Sequence, residues 1–142
     1  MSATVTVRSI DSLAELERVV SVIAAQFPPR RSGPSRGLRE LEARFAEDRA
    51  LMLVAELAGE IVGGALAVRD AGAVKIDAIA LKPALRGRGV GRRLMREIED
   101  AARRLGAREI YLGGANAENR GFYHRLGYAG RRSLMRKGLA LR

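Results

Sequence analysis

Val90, Leu94, Ile98, Ala102 and Leu105 recur at helical spacing, and the residues leading into them read Arg86-Gly87-Arg88-Gly89-Val90-Gly91. An apolar stripe of that period predicts a long amphipathic helix that buries one side, with Glu99/Arg103 and Asp100/Arg104 as i,i+4 pairs on its outer side. Gly106 closes it. Ala73 to Leu81 reads as a strand, so the unit is strand, glycine-rich turn and helix. Such a turn lets backbone approach a ligand closely, and the N–H groups of the first helical turn, with the helix dipole, favour an anion such as pyrophosphate.

Two familiar phosphate motifs do not fit. The dinucleotide fingerprint requires glycine at its sixth position, where counting from Gly87 gives Arg92. The nucleoside-triphosphate loop requires Gly-Lys-Ser/Thr, where this chain has Gly91-Arg92-Arg93. From these six residues alone, a plain glycine-rich turn into a helix remains the alternative.

Around this unit, Thr4 to Arg8 alternates like a strand, and Ser12-Leu13-Ala14-Glu15 reads as a capping box opening a helix to about Gln26. Pro28 and Pro29 end that helix. Phe27 to Gly37 reads as an irregular loop, after which Leu38, Leu41 and Phe45 mark a second helix. Leu51 to Leu57 and Ile61 to Val68 are apolar runs joined at Ala58-Gly59-Glu60, and Asp70-Ala71-Gly72 leads into Ala73 to Leu81. That is an antiparallel meander. Arg108 to Gly113 reads as a strand, Asn119 to Leu126 as a short helix, and Tyr128 to Leu141 as a terminal strand. The order β-α-α-β-β-β-α-β-α-β predicts an α/β (α+β) fold: a mixed, mostly antiparallel sheet flanked by helices, in a single domain over residues 1–142.

Composition narrows the function classes. The chain has no cysteine, which excludes disulfides, thiolate metal sites and a cysteine nucleophile. Its first residues carry no basic or apolar leader pattern, and no apolar run approaches the roughly 20 residues that span a bilayer. A cytoplasmic protein with no membrane partner is therefore expected. The net charge of +10 invites a nucleic-acid reading, but arginines such as Arg8, Arg18, Arg44, Arg69, Arg108 and Arg142 are scattered along the chain. Only 4% of residues are aromatic, against the interleaved aromatics of a single-strand binder. No specific nucleic-acid partner is expected, and the charge could instead steer an anionic ligand.

Ala80-Leu81-Lys82-Pro83, Arg86-x-x-Gly89-x-Gly91, the long helix, a strand, and Asn116-x-x-Asn119-x-x-Phe122-Tyr123-x-x-Leu126-Gly127-Tyr128 together resemble the GNAT superfamily of N-acetyltransferases. The likeness is specific over Ile79 to Tyr128 and rests on element order before that. Asn119 stands where the family usually has alanine, and Tyr128 where it more often has phenylalanine.

The resemblance implies acetyl-CoA as cosubstrate, a primary amine as acceptor, and no metal. Backbone groups of Ile79, Ala80 and Leu81 would pair with the pantetheine arm as an added strand. Amides from Arg86 through Gly87, Arg88, Gly89, Val90, Gly91 and Arg92 would hold the pyrophosphate, with Arg88 or Arg93 near the ribose phosphate. Asn116 would hydrogen-bond the arm where the strands diverge, and Asn119 belongs to the same cofactor-binding set. Tyr123 would face the sulfur and act on the leaving thiolate. With an ordinary pKa of about 10 against about 8.5 for a thiol, it serves more readily as a hydrogen-bond donor than as a full acid.

Asp77 is the candidate base. It alternates with Lys75 on the strand face opposite Val74, Ile76, Ala78 and Ala80, from which a carboxylate could reach the acceptor; a salt-bridged surface aspartate is the other reading. His124, the only histidine, is expected at the surface. The alternatives are an acyl-CoA sensor that transfers nothing and a basic nucleic-acid-binding domain. A homodimer is compatible with the family likeness.

Overall fold

The computed structural model describes residues 4–27, 37–113, 119–131 and 134–140. In chain order these form β1 (Thr6–Ser9), α1 (Leu13–Ala24), α2 (Leu38–Asp48), β2 (Met52–Leu57), β3 (Glu60–Asp70), β4 (Ala73–Leu81) and α3 (Val90–Arg104), then β5 (Glu109–Leu112), α4 (Arg120–Arg125), β6 (Ala129–Arg131) and β7 (Leu134–Gly138). Among the described residues the strands make one seven-stranded sheet in the order β1-β2-β3-β4-β5-β7-β6. Every pair is antiparallel except β4 with β5. A parallel pair needs a crossover, and α3 supplies it.

Helices cover both faces of the sheet. Leu94, Met95, Ile98 and Ala102 of α3 pack with Leu53, Ala65, Val74, Ile76 and Ile110 on one face. Leu16, Val19 and Ile23 of α1 and Leu41 and Phe45 of α2 pack with Met52, Val54, Leu66 and Val68 on the other. Strands buried on both faces read as continuous apolar runs, which is why β2 and β3 show so little alternation in the sequence.

Three expectations are corrected. The tail from Tyr128 is two strands rather than one: β7 pairs with β5 on one side and β6 on the other, with Arg131 opposite Leu134. Arg131-Arg132-Ser133-Leu134 carries none of the Asn-Gly or Asp-Gly signals that mark a two-residue turn, so the fold-back is silent in the sequence. Glu99 does not lie on an outer face of α3. It is buried, because the Tyr128 hydroxyl donates to its Oε2 at 3.0 Å and Lys137 Nζ donates to its Oε1 at 3.0 Å.

The third correction concerns Asp77. Leu66 pairs with Ala78 while its neighbour Ala67 pairs with Ile76, so Asp77 is an extra residue in β4, a bulge. One inserted residue reverses the alternation of side chains. Val74 and Ile76 face α3, but beyond the bulge Ile79 and Leu81 take that face, while Ala78 and Ala80 turn to α1 and α2. The regular alternation expected from Val74 to Ala80 is therefore broken at the candidate base.

The capping box of α1 is half formed. Ser12 Oγ accepts from the Glu15 N–H at 3.1 Å, but the Glu15 carboxylate accepts from the Asp11 N–H and, at 2.7 Å each, from both terminal nitrogens of Arg8. A bidentate charged pair outcompetes the return bond to the cap residue. Arg44 and Arg69 likewise converge on the fully buried Asp48. Part of the arginine excess thus holds helices to the sheet.

Candidate active site

β4 and β5 run together for only four residues, Ala73–Ile76 against Glu109–Leu112. Beyond Ile76, β4 continues to Leu81 against β3, while its ladder with β5 ends at Leu112. The parallel strands fork there. An extended ligand can add itself to such an open edge through backbone hydrogen bonds.

A cavity of about 70 Å³ opens at the fork. Asp77, Ile79, Asn119 and Tyr123 line it, joined by Phe27 from the end of α1 and Leu112 from the end of β5. Four of the residues singled out from the sequence are thereby brought together. Ala80 and Leu81 are not cavity-lining residues; they extend the open edge toward the glycine-rich turn. Phe27 was read from the sequence only as the start of a loop. Asn116 lies outside the described residues.

The Asp77 side chain has no solvent exposure, and Lys75 Nζ stands 4.0 Å from its Oδ1. The ion pair matches the salt-bridged aspartate of the alternative reading, but the side chain is buried rather than at the surface. Tyr123 is 4% exposed, and burial pushes its phenol up to about 12. It therefore stays protonated across the physiological range and offers a donor. Its ring sits edge-on to Phe122, at 5.1 Å between centroids, and to Tyr128, at 6.0 Å. Asn119 precedes α4, and its carbonyl accepts from the Tyr123 N–H at 3.3 Å. His124 is exposed, as expected.

The open edge of β4 leads into the turn before α3. Gly87 and Gly89 hold φ of 76° and 82°, the left-handed region, and a methyl group added to either would meet no atom within 4 Å. Space therefore lies over both. Gly89 is the N-cap of α3 and no side chain caps the helix, so the N–H groups of its first turn have no intrahelical acceptor. Val90 is buried and can offer only its backbone. Arg86 Nε donates to the Leu81 carbonyl at 3.2 Å, tying the turn to the end of β4. Arg93 Nη1 donates to the Val5 carbonyl at 2.8 Å and is committed to the β1 end, which leaves Arg88 of the two arginines considered for a ribose phosphate.

Beyond Arg92, which is exposed, a second concavity of about 250 Å³ is lined by Arg92, Arg96, Arg125 and Lys137, with Glu99 as its carboxylate. Arg96 and Arg125 had no signal in the sequence beyond their charge. They share the concavity because Arg96 lies one helical turn after Arg92 and Arg125 closes α4 beside it.

The sequence profile of the acetyltransferase (GNAT) family matches residues 16–128. Comparison with curated proteins gives no match. Among solved structures, the chain is similar to Ard1 from Thermoplasma volcanium, with a TM-score of 0.77 and 20% identity over 96% of this chain and 98% of that one. It is also similar to PaiA N-acetyltransferase from Thermoplasma acidophilum in complex with coenzyme A, with a TM-score of 0.73 and 19% identity over 95% and 99%. For the ribosomal-protein-S18-alanine N-acetyltransferase from Escherichia coli the values are 0.72 and 17%, over 98% and 96%. At these identities the likeness establishes the fold. No helix among the described residues is long and apolar enough to cross a membrane.

Proposed function

The chain belongs to the GNAT family of acetyltransferases, and from that premise we propose that it is an N-acetyltransferase taking an acetyl group from acetyl-CoA to a primary amine by direct attack. The observation that carries this is the open edge of β4, with Tyr123 and Asp77 in the cavity where it begins and the uncapped turn of α3 where it ends. One end suits a thioester and the other a pyrophosphate. Residues 1–142 are taken as one transferase domain acting in the cytoplasm.

The residues present fit the cofactor. The edge at Ile79, Ala80 and Leu81 offers backbone groups to the pantetheine arm, and the space over Gly87 and Gly89 admits phosphate close to the amides of Arg86 through Arg92. Asn116 and Asn119 complete the cofactor-binding set. Arg92, Arg96 and Arg125 supply a positive field beside that turn. When bound, acetyl-CoA supplies an activated acyl group on sulfur.

The protein's own part is positioning, proton traffic and charge stabilisation. A backbone N–H of Ile79 or Leu81 would donate a hydrogen bond to the acyl oxygen as negative charge develops on it. The buried Asp77 carboxylate takes the proton that the amine must lose, directly or through one water. Tyr123 donates to the departing sulfur. Its phenol, pushed up to about 12, is a weaker acid than a thiol at about 8.5, so it stabilises the thiolate by hydrogen bond and keeps its proton.

A thiol-release assay with acetyl-CoA and a panel of amines, amino acids, aminoglycosides and peptide N-termini tests this. Release of free thiol matched by acetylated amine supports transfer. Binding of acetyl-CoA with no release across the panel would favour a sensor instead.

A further inference from the structure

The short helix that carries Tyr123 is too brief to hold itself: its six residues form fewer than two turns, below the length at which a helix is stable alone. Its C-terminal end is closed in a particular way. The Tyr128 N–H donates to the Tyr123 carbonyl at 3.0 Å, the Gly127 N–H donates to the His124 carbonyl at 3.0 Å, and Gly127 holds φ of 94°. These are the two bonds and the left-handed residue of a Schellman cap, with Tyr123 and Tyr128 as the pair whose side chains touch across it. Tyr128 therefore reaches Tyr123 twice, through the backbone and through its ring.

Tyr128 is in turn anchored outside the helix. Its hydroxyl donates to Glu99 Oε2 on α3 at 3.0 Å, and Lys137 of β7 donates to Glu99 Oε1 at 3.0 Å. The same ammonium donates to the Leu126 carbonyl at 2.7 Å, filling an acceptor at the end of α4, and lies 5.8 Å from the centre of the Tyr128 ring. Arg103 stands 3.9 Å from Glu99 on the solvent side. Burial first, and then the Glu99 charge, keep the Tyr128 phenol protonated well above its ordinary range, so the hydroxyl remains a donor. Three elements distant in sequence thus meet at the cap of the helix bearing Tyr123.

We propose that Glu99, Tyr128 and Lys137 are positioning residues that set the location of the Tyr123 phenol at the fork of β4 and β5. The catalytic consequence rests on the assignment of Tyr123 to the leaving sulfur; the geometric one does not. Displacement of a well-placed group by about 1 Å can cost on the order of 100-fold in rate. A brace on this helix should act on kcat, and Tyr128, which lies outside the concavity that Arg92 shares with Glu99 and Lys137, should spare the cofactor.

The test is a double-mutant cycle with a spectroscopic arm. Tyr128→Phe should lower kcat by about 10-fold with the KM for acetyl-CoA changed less than about twofold, and Lys137→Met, which also removes a cation beside Arg92, should lower kcat comparably. In a Tyr123→Phe background the same substitutions should cost nothing further, because the group they position is gone. Equal losses in both backgrounds would overturn the proposal. With carbon-13-labelled tyrosine the chain gives only three ring systems to assign, and the Tyr123 signals should move in Lys137→Met. Unmoved Tyr123 signals in a folded variant would overturn it as well. If Tyr123→Phe alone left kcat unchanged, the role of Tyr123 would fall, and the ring signals would still decide whether the brace exists.

Discussion

Asp77, the extra residue of a bulge in β4, and Tyr123, on the short helix that follows β5, line one cavity at the point where the two strands part. Each comes from a different side of the fork. A carboxylate and a phenol thereby line the same small cavity.

Asp77→Asn keeps the shape of the side chain and removes its basicity. It should lower kcat/KM for an alkylamine acceptor by about 100-fold or more, the range of one general base. For an acceptor amine of low pKa, already neutral at the assay pH, the loss should be much smaller. Initial rates over a series of amines check this; an equal loss for every amine would make Asp77 a structural residue.

Gly89→Ala separates backbone strain from ligand approach. At φ of 82° any side chain is strained, so the unliganded protein should lose about 1 to 2 kcal/mol of stability. Gly106→Ala provides the control, with φ of 79° and equally open space at the far end of α3. Both should melt lower than the parent, but only Gly89→Ala should lose the rise in melting temperature that acetyl-CoA produces by binding the folded state.

The Arg8–Glu15 pair predicts a pH dependence of stability. The Arg8 guanidinium, bonded to both carboxylate oxygens, holds the Glu15 carboxyl below its ordinary value of 4.5. A depressed carboxyl contributes stability that is fully present above the unfolded value and is lost as pH falls through the folded one. The difference in urea midpoint between the parent and Glu15→Gln should therefore be constant above about pH 5 and shrink below 4.5. A gap that persisted unchanged to strong acid would contradict it.

Much of the fold is legible in the sequence. The period of Val90 to Leu105 and the glycines before it marked the crossover helix and its uncapped N-terminus, because both depend on local spacing. The spacing from Asn119 to Tyr128 located α4 and Tyr123 for the same reason. The bulge at Asp77 was not legible: it arises from pairing with β3, and a strand with one extra residue reads like any other. Nor was the burial of Glu99, whose helical position looks solvent-facing until the fold-back of β7 brings Lys137 over it. The Arg92, Arg96 and Arg125 concavity was hidden likewise, since only packing of α4 beside α3 joins charges that the sequence scatters.

The most direct measurement compares kcat and acetyl-CoA affinity in Tyr123→Phe, using an amine whose chemical step limits turnover. Removing only the hydroxyl retains the ring contacts with Phe122 and Tyr128. The expected result is a loss in kcat of about 10 to 1,000 fold, as for one lost donor or acid, with acetyl-CoA binding nearly unchanged. Because burial pushes the phenol up to about 12, the parent enzyme should show no alkaline decline from this group in the ordinary assay range. An unchanged kcat, or a loss confined to acetyl-CoA binding, would contradict the account.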